Sequence, residues 1–404
     1  MFNFTESEDQ KRMLAEATEI MEKYVYLNER YMVPHRGLPE EILKPLQQIV
    51  KEKGLWAAHL PKEFGGMGQG FVSLGLLSEV IGQSPIGPYV FGSMAPDAGN
   101  GEILLHAATP EQKERYLKPL ADGEIRSCFG MTEPEVSGSD PTMLQGKAVK
   151  EGKEWVINAH KWYTTGAVGA SFCIAMVVTD PDAEKHKRTS LFIVDTDNPG
   201  FEVVREVPVL GDHYPGGHCE VRFNNCRVFE DSMLGKRGEG FKLAQLRLGP
   251  GRITHAMRWL GVARRAVNEM LSYSLHKKDG DQTLADSQII QNFIADSEAE
   301  ILASRLLTLQ AAWRMDQGDE ARKEVSIIKF YGANVLNNVL DRAIQALGKH
   351  GLRPSLALEG LYREARAARI YDGADEVHRM VVARHMLKEF KAKERFNEPA
   401  SIQK

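Results

Sequence analysis

The sequence lacks several features that would have narrowed its role at once. Cysteine occurs four times, at Cys128, Cys173, Cys219 and Cys226, and never as a C-x-x-C pair. That spacing supports neither a disulfide framework nor a zinc ribbon. His213, His218 and Cys219 lie close together but fit no standard ligand pattern, so no metal site is expected. There is no excess of one charge: 51 Lys and Arg stand against 55 Asp and Glu, a formal net charge of −4. A nucleic-acid-binding role usually needs a strong basic excess and is not expected. Long hydrophobic runs are missing too. The longest, about Ala170 to Val178, contains Ser171 and falls far short of the ~20 residues of a membrane helix. The start, Met1-Phe2-Asn3-Phe4-Thr5-Glu6-Ser7-Glu8, has no hydrophobic signal core, and Ser401-Ile402-Gln403-Lys404 matches no common address tag. A cytoplasmic protein with no membrane span is the expectation. The signatures G-x-x-x-x-G-K-[ST], G-x-G-x-x-G and G-x-S-x-G are absent, and Gly65, Gly66, Gly68 and Gly70 have the wrong spacing.

What is present is a globular composition, 43% hydrophobic and 26% charged over 404 residues. At roughly 100–200 residues per domain this length suggests two to four domains. Three textures follow one another. Residues 1–125 read as helices, among them Asp9–Tyr31, Glu40–Lys53 and Pro110–Leu120, the last with Thr109 as N-cap and Pro110 in the first turn. Pro61–Gly68 is a glycine-rich loop. Residues 126–235 read as β: Trp155–Ile157, Phe172–Thr179, Ser190–Asp195, Phe201–Val209 and Cys219–Phe223 are β-branched or aromatic runs separated by turn residues, at the spacing of a small barrel or sandwich. Residues 236–395 return to helix, with Ile290, Phe293, Ile294 and Ile301 at helical spacing. Gly249-Pro250-Gly251 predicts a break or kink there. The fold class is α+β.

Three segments carry chemical signal. Cys128–Asp140, which holds Phe129-Gly130-Met131-Thr132-Glu133-Pro134 and Ser137-Gly138-Ser139-Asp140, is a turn rich in small and hydroxyl residues. Such a turn presents N–H groups and hydroxyls to an anion or a polar ring edge, though a plain polar turn reads the same way. His160-Lys161-Trp162-Tyr163-Thr164-Thr165-Gly166 ends a strand with two aromatics and two threonines, either a stacking platform or core. In Tyr371-Asp372-Gly373, Asp372 is either a base held against apolar neighbours or a helix cap.

Together and in this order, the three segments resemble the acyl-CoA dehydrogenases, flavoproteins that use FAD. M-T-E-P…G-S-D matches Met131–Asp140 with one extra residue, K-x-W-x-T-x-G matches Lys161–Gly166 in compressed form, and Y-E-G matches Tyr371-Asp372-Gly373. Arg247-Leu248-Gly249-Pro250-Gly251-Arg252 and Asp372–His378 resemble in particular the subgroup found in animals fused behind a kinase-like domain. The resemblance covers nearly the whole chain. It implies an α-helical N-terminal domain, a β-barrel or sandwich middle domain and a C-terminal four-helix bundle, with FAD between the last two at a subunit interface. That requires a homodimer at least, and a tetramer is usual in the family.

The resemblance also implies roles. Residues at the positions of Met131 and Thr132 bond the pyrimidine edge of the flavin. Ser139 reaches the pyrophosphate and lies by the substrate, Trp162 packs by the isoalloxazine, and Thr164 bonds near N5. Phe129, Gln345, Ala374 and Glu376 fall on further cofactor-facing positions. Asp372 stands where many members have Glu, as the base that takes the α-proton of an acyl-CoA. Its backbone N–H polarises the thioester carbonyl together with a ribityl hydroxyl. Some members carry the base at the position of Gly251, which glycine cannot serve. Arg252 lies near the base, and Tyr371 near the substrate. Electrons pass on to an electron-transfer flavoprotein. The cross-subunit R-x-x-F is replaced by Lys277-Lys278-Asp279-Gly280, the G-G element reads Gly348-Lys349-His350-Gly351, and the T-S-Q tail becomes Ala374-Asp375-Glu376. Lys277 and Lys349 keep point charges for the pyrophosphate. Two other readings stay open: a relative that oxidises another carbon acid such as a nitroalkane, and a flavin-poor binding or assembly protein.

Overall fold

Ser7 starts the first helix. Its hydroxyl accepts from Gln10 N–H while the Gln10 side chain accepts from Ser7 N–H, a reciprocal cap. Helix α1 (Glu8–Ile20) then buries Met13, Ala17 and Ile20, spaced by four and three residues. The computed structural model describes residues 5–33, 35–211, 214–354 and 357–394, in two compact units, Met1–Val262 and Ala263–Lys404.

In the first unit α1 is followed by α2 (Glu40–Glu52), α3 (Gly70–Ile81) and α4 (Asp97–Ala107). Thr109 caps the next turn as its sequence predicts. Asn100, fully buried on α4, donates to Ser127 Oγ (2.9 Å) and Cys128 O (3.2 Å). This bond joins the helices to β1 (Ser127–Gly130). The other strands are β2 (Lys147–Glu151), β3 (Glu154–Thr165), β4 (Phe172–Val178), β5 (Thr189–Asp195), β6 (Phe201–Glu206), β7 (His218–Phe229) and β8 (Met233–Leu234). Their order is β6-β7-β3-β2-β4-β5-β8, with β1 parallel to β4.

The sheet has a seam. β2 and β4 share a single register pair, Lys147 with Val178. The two halves face each other across one core, where the Trp155 and Phe192 rings lie 5.4 Å apart among Ile157, Val177, Val194 and Phe223. β4 is buried along its whole length, as a strand covered on both faces must be. β7 shows how register sets facing. Cys219, Val221 and Phe223 point inward, then Asn225 adopts φ +47°, and the inward set becomes Cys226 and Val228. One inserted residue flips the alternation.

Gly249-Pro250-Gly251 does not break its helix. Helix α5 runs uninterrupted from Gly240 to His276. One proline removes one backbone bond, whereas Ile253, Ala256, Met257 and Leu260 are all completely buried along the same helix. Burying Ile253, Met257 and Leu260 outweighs the loss at roughly 1.5–3 kcal/mol each.

The second unit contains the end of α5, a small hairpin of β9 (Lys278–Asp279) with β10 (Gln282–Thr283), and α6 (Gln288–Asp316), α7 (Arg322–Leu347), α8 (Ala357–Ala365) and α9 (Asp375–Glu394). Among the described residues no helix is long and apolar enough to cross a membrane.

A buried acid on α4 yields a pH test. Burial pushes the Glu102 carboxyl up to about 7 from 4.5, and the His106 ring nitrogen Nε2 lies 3.7 Å away. The folded state therefore keeps a proton that the unfolded chain has already lost. Stability falls as pH rises through that window. Glu102→Gln is expected to be more stable than the natural chain by up to about 3 kcal/mol at pH 8. The gain shrinks to well under half at pH 5, as read by urea unfolding at both values.

Candidate active site

The strand β3 brings the first set of candidate residues together through a bulge. Lys161 pairs with Val221 and Thr164 with Cys219, so Trp162 and Tyr163 together oppose one residue, and Tyr163 takes φ +50°. The extra residue turns both Lys161 and Thr164 inward, each fully buried. Trp162 is half-buried, and its ring lies 4.9 Å from that of the exposed Tyr163.

Beside the bulge runs the loop that leaves β1. Trp162 N–H donates to Thr132 O at 3.0 Å. Lys161 Nζ donates to Met131 O (3.0 Å), Glu133 Oε1 (2.7 Å) and Met176 O (2.7 Å). Glu133, itself buried, also accepts from Gln145 and Gly146 N–H groups. Burial pushes the Lys161 ammonium pKa down, and Glu133 opposes that fall. His160 braces the same loop, with Nδ1 2.5 Å from Glu135 and Nε2 2.9 Å from Glu220. Met131 and Thr132 are thus held partly exposed next to Trp162. Phe129 lies just upstream, under the Arg247 guanidinium at 4.5 Å. Ser139 is exposed further along the loop, 2.9 Å from the Ser137 hydroxyl.

Thr164 supplies the test of fit for a flavin. Its Oγ1 is sealed from water and has no hydrogen-bond partner among the described residues. An unmet buried donor of this kind costs about 1–3 kcal/mol. A ring-nitrogen acceptor satisfies it without adding a titrating group. With an aromatic neighbour and a braced polar loop alongside, these residues fit the cofactor.

The second unit carries the other set. Asp372 is half-buried at φ +55°, a conformation that Asp tolerates better than most residues. His378, buried in the first turns of α9, holds its Nε2 3.1 Å from Asp372 O. A side chain at Gly373 (φ +97°) would meet that same ring at 2.7 Å. Helix α7 anchors the segment. Lys329 donates to Ala368 O (2.7 Å), Asn334 to Asp375 Oδ2 (2.9 Å) and Asn337 to Ala365 O (3.0 Å). Asp375, 1% exposed, also meets Arg369 at 3.0 Å, Arg379 at 3.6 Å and Lys329 at 3.9 Å. Tyr371 is exposed with its ring 5.9 Å from Lys329 Nζ, Ala374 is half-buried, and Glu376 is exposed. Lys277, Gln345 and Lys349 are exposed. The Tyr273–His350 ring contact (5.6 Å) sets the Gly348–Gly351 turn beside the end of α5, near Lys277. Arg252 lies half-buried on α5 in the first unit.

The His218–Cys219 pair belongs to the β core. His218 lies 2.9 Å from the Thr165 hydroxyl, and the Cys219 thiol points to Gly216 O. His213 falls outside the described residues.

Three features escape the sequence reading. The Lys161–Glu133 pair joins residues 28 apart and is signalled only by a lysine in an otherwise inward-facing strand position. The Lys329, Asn334 and Asn337 row on α7 is visible only as polar residues at helical spacing. A cavity of about 490 Å³ is lined by Asp180, His186, Lys187, Arg237, Glu239 and Phe241 among others, with His186 against the Phe241 ring. Its trace in the sequence is the basic run Lys185–Arg188.

Comparison with known proteins identifies the family. The family descriptions "Acyl-CoA dehydrogenase, N-terminal domain", "middle domain" and "C-terminal domain" match residues 7–124, 128–226 and 238–387. FadE2 of Mycobacterium tuberculosis, named a probable acyl-CoA dehydrogenase, is 41% identical over 85% of this chain and 85% of its own length. Mouse acyl-CoA dehydrogenase family member 10 is 38% identical over 96% of this chain, which spans only 38% of that protein. Chicken family member 11 is 35% identical, and the chain spans 51% of its length. A Mycobacterium abscessus chain whose name places it among the acyl-CoA dehydrogenases superimposes with TM-score 0.91 at 38% identity, covering 96% of this chain and 100% of that one. Butyryl-CoA dehydrogenase of Megasphaera elsdenii does so at 0.84 and 26%, covering 96% and 100%. From its first helix to its last, this chain belongs to the acyl-CoA dehydrogenase family.

Proposed function

We propose that the protein oxidises an acyl-CoA thioester to the trans-2-enoyl-CoA, with Asp372 as the base, and hands the electrons to an electron-transfer flavoprotein. The observation that carries this reading is the Asp372 turn. Its carbonyl is held by His378, its glycine neighbour is packed on the same ring, and four cationic or amide side chains converge on Asp375 beneath it. The backbone that carries the Asp372 carboxylate is thus fixed in a left-handed turn. FAD, when bound, supplies the hydride acceptor at N5.

The chain's own residues do the rest. The Asp372 carboxylate takes the α-proton, and its backbone N–H polarises the thioester carbonyl. Thr164 offers its hydroxyl to the ring, and Trp162 excludes water from it. Met131 and Thr132 hold the pyrimidine edge, with Phe129 behind them. Ser139 takes part in holding the pyrophosphate and the substrate. Lys277, Gln345, Lys349, Ala374 and Glu376 serve the remainder of the cofactor across a subunit contact, which makes a homo-oligomer part of this proposal. Tyr371 orients the thioester, and Arg252 is the second catalytic residue of this proposal.

The first test is the visible spectrum of the purified protein, before and after anaerobic addition of a panel of acyl-CoAs. A flavin band that bleaches with one of them is expected. A band untouched by every acyl-CoA but bleached by a nitroalkane, or a protein that takes up no FAD, contradicts the reading.

Two neighbouring acids separate chemistry from scaffold. Asp372→Asn is expected to keep its FAD and melting behaviour while flavin reduction by acyl-CoA slows by at least about 10³-fold. Unchanged reduction removes Asp372 as the base. Asp375→Ala is expected to lose about 3–5 kcal/mol of stability in denaturant, because it leaves Lys329 buried without its counter-charge.

A further inference from the structure

Lys161 is assigned above to neither cofactor nor substrate, yet it grips the loop that serves the flavin edge. Its three ammonium hydrogens have three acceptors, Glu133 Oε1, Met176 O and Met131 O, at 2.7, 2.7 and 3.0 Å. One residue along, Trp162 N–H takes Thr132 O at 3.0 Å. Consecutive carbonyls of the loop are therefore held by consecutive residues of β3. A trans peptide holds its C=O and N–H in one plane, pointing in opposite directions. Drawing the Met131 carbonyl toward Lys161 aims the Thr132 N–H the other way. Glu133 neutralises the ammonium and is itself fixed by Gln145 and Gly146 N–H groups, so the strap has no slack charge.

We infer that Lys161 is a positioning residue for the flavin. By fixing the Met131–Thr132 peptide plane it presents the Thr132 N–H to the pyrimidine edge, and so sets how differently the site binds oxidised and reduced flavin. This rests on the FAD reading above. A hydrogen-bond donor at that edge favours the electron-rich reduced ring, so loss of the alignment lowers the potential. The competing account is a buried ion pair that only stabilises the sheet.

Two variants divide the accounts. Lys161→Met with Glu133→Gln removes both charges together and leaves no buried ion unpaired. Glu133→Gln alone keeps Lys161 and its two carbonyl bonds. FAD dissociation constant, flavin reduction potential and thermal midpoint are measured for each. The double variant is expected to hold a near-natural midpoint, bind FAD at least tenfold more weakly, and show a potential lower by about 30 mV, the equivalent of a tenfold change in the ratio of the two affinities. Glu133→Gln is expected to melt earlier with its potential unchanged. A double variant with the natural potential and FAD affinity overturns the proposal. So does a potential that follows the midpoint in Glu133→Gln, which decides the matter alone if the double variant does not fold. A natural protein that binds no FAD overturns the flavin reading itself, and this one with it.

Discussion

An ammonium and a carboxylate sealed together under the Met131–Glu133 loop impose the strictest requirement in the β region. Each ion loses several kcal/mol of hydration on burial, and only a complete set of partners offsets that loss. Lys161 and Glu133 have the complete set: every ammonium hydrogen is donated, and both carboxylate oxygens accept. The partners come from four places in the chain: the exit of β1, the approach to β2, β3 itself and β4. A shift of any one would strand a charge. An apolar pair of the same volume would tolerate sliding, whereas this pair accepts one register.

Register is the means by which the strands place chemistry. The bulge at Trp162 and Tyr163 lets Lys161 and Thr164 both face inward, although their spacing of three would send them to opposite faces of a regular strand. Without it, either the strap or the orphan hydroxyl would lie on the wrong side. The second bulge, at Asn225 on β7, keeps Cys226 and Val228 in the core and so anchors the partner strand against which β3 is registered. The second unit solves the same problem with a helix. Lys329, Asn334 and Asn337 on α7 grip the segment that carries Asp372 at Ala365, Ala368 and Asp375.

The sequence shows these devices unevenly. Helix starts were readable at Thr109 and β-runs at Phe172–Thr179 because both are local, one a capping contact over three residues, the other a run buried on both sides. The strand predicted over Trp155–Ile157 extends to Thr165, since its second half alternates less cleanly, with Lys161 inward and Tyr163 outward. The run predicted to Val209 stops at Glu206, where pairing with β7 ends. Gly249-Pro250-Gly251 reads as a break, since local propensity carries no knowledge of the apolar side chains that the helix buries one turn later. The segments around Met131, Trp162 and Asp372 were legible as motifs. What organises them was not: Glu133 and Lys161 lie 28 residues apart, and Asp375 gathers partners from two helices and the turn before it.

The identity of the acid at 372 is as much a matter of backbone as of reactivity. The turn demands φ +55°, a region disfavoured for residues with a Cβ and relatively open to Asp and Asn, whose short polar side chains can bond locally. Glutamate has no such local compensation, so a chain that tightens this turn gains by shortening the acid. The turn is closed by a visible contact. His378 occupies the space a side chain at 373 would need and binds the carbonyl of 372, so the turn closes over the first residues of α9. A shorter carboxylate also reaches less far from that backbone. In this chain the His378 contact, the left-handed backbone and aspartate form one linked choice, and lengthening the acid without relaxing the turn would place its oxygens beyond the position the backbone holds for them.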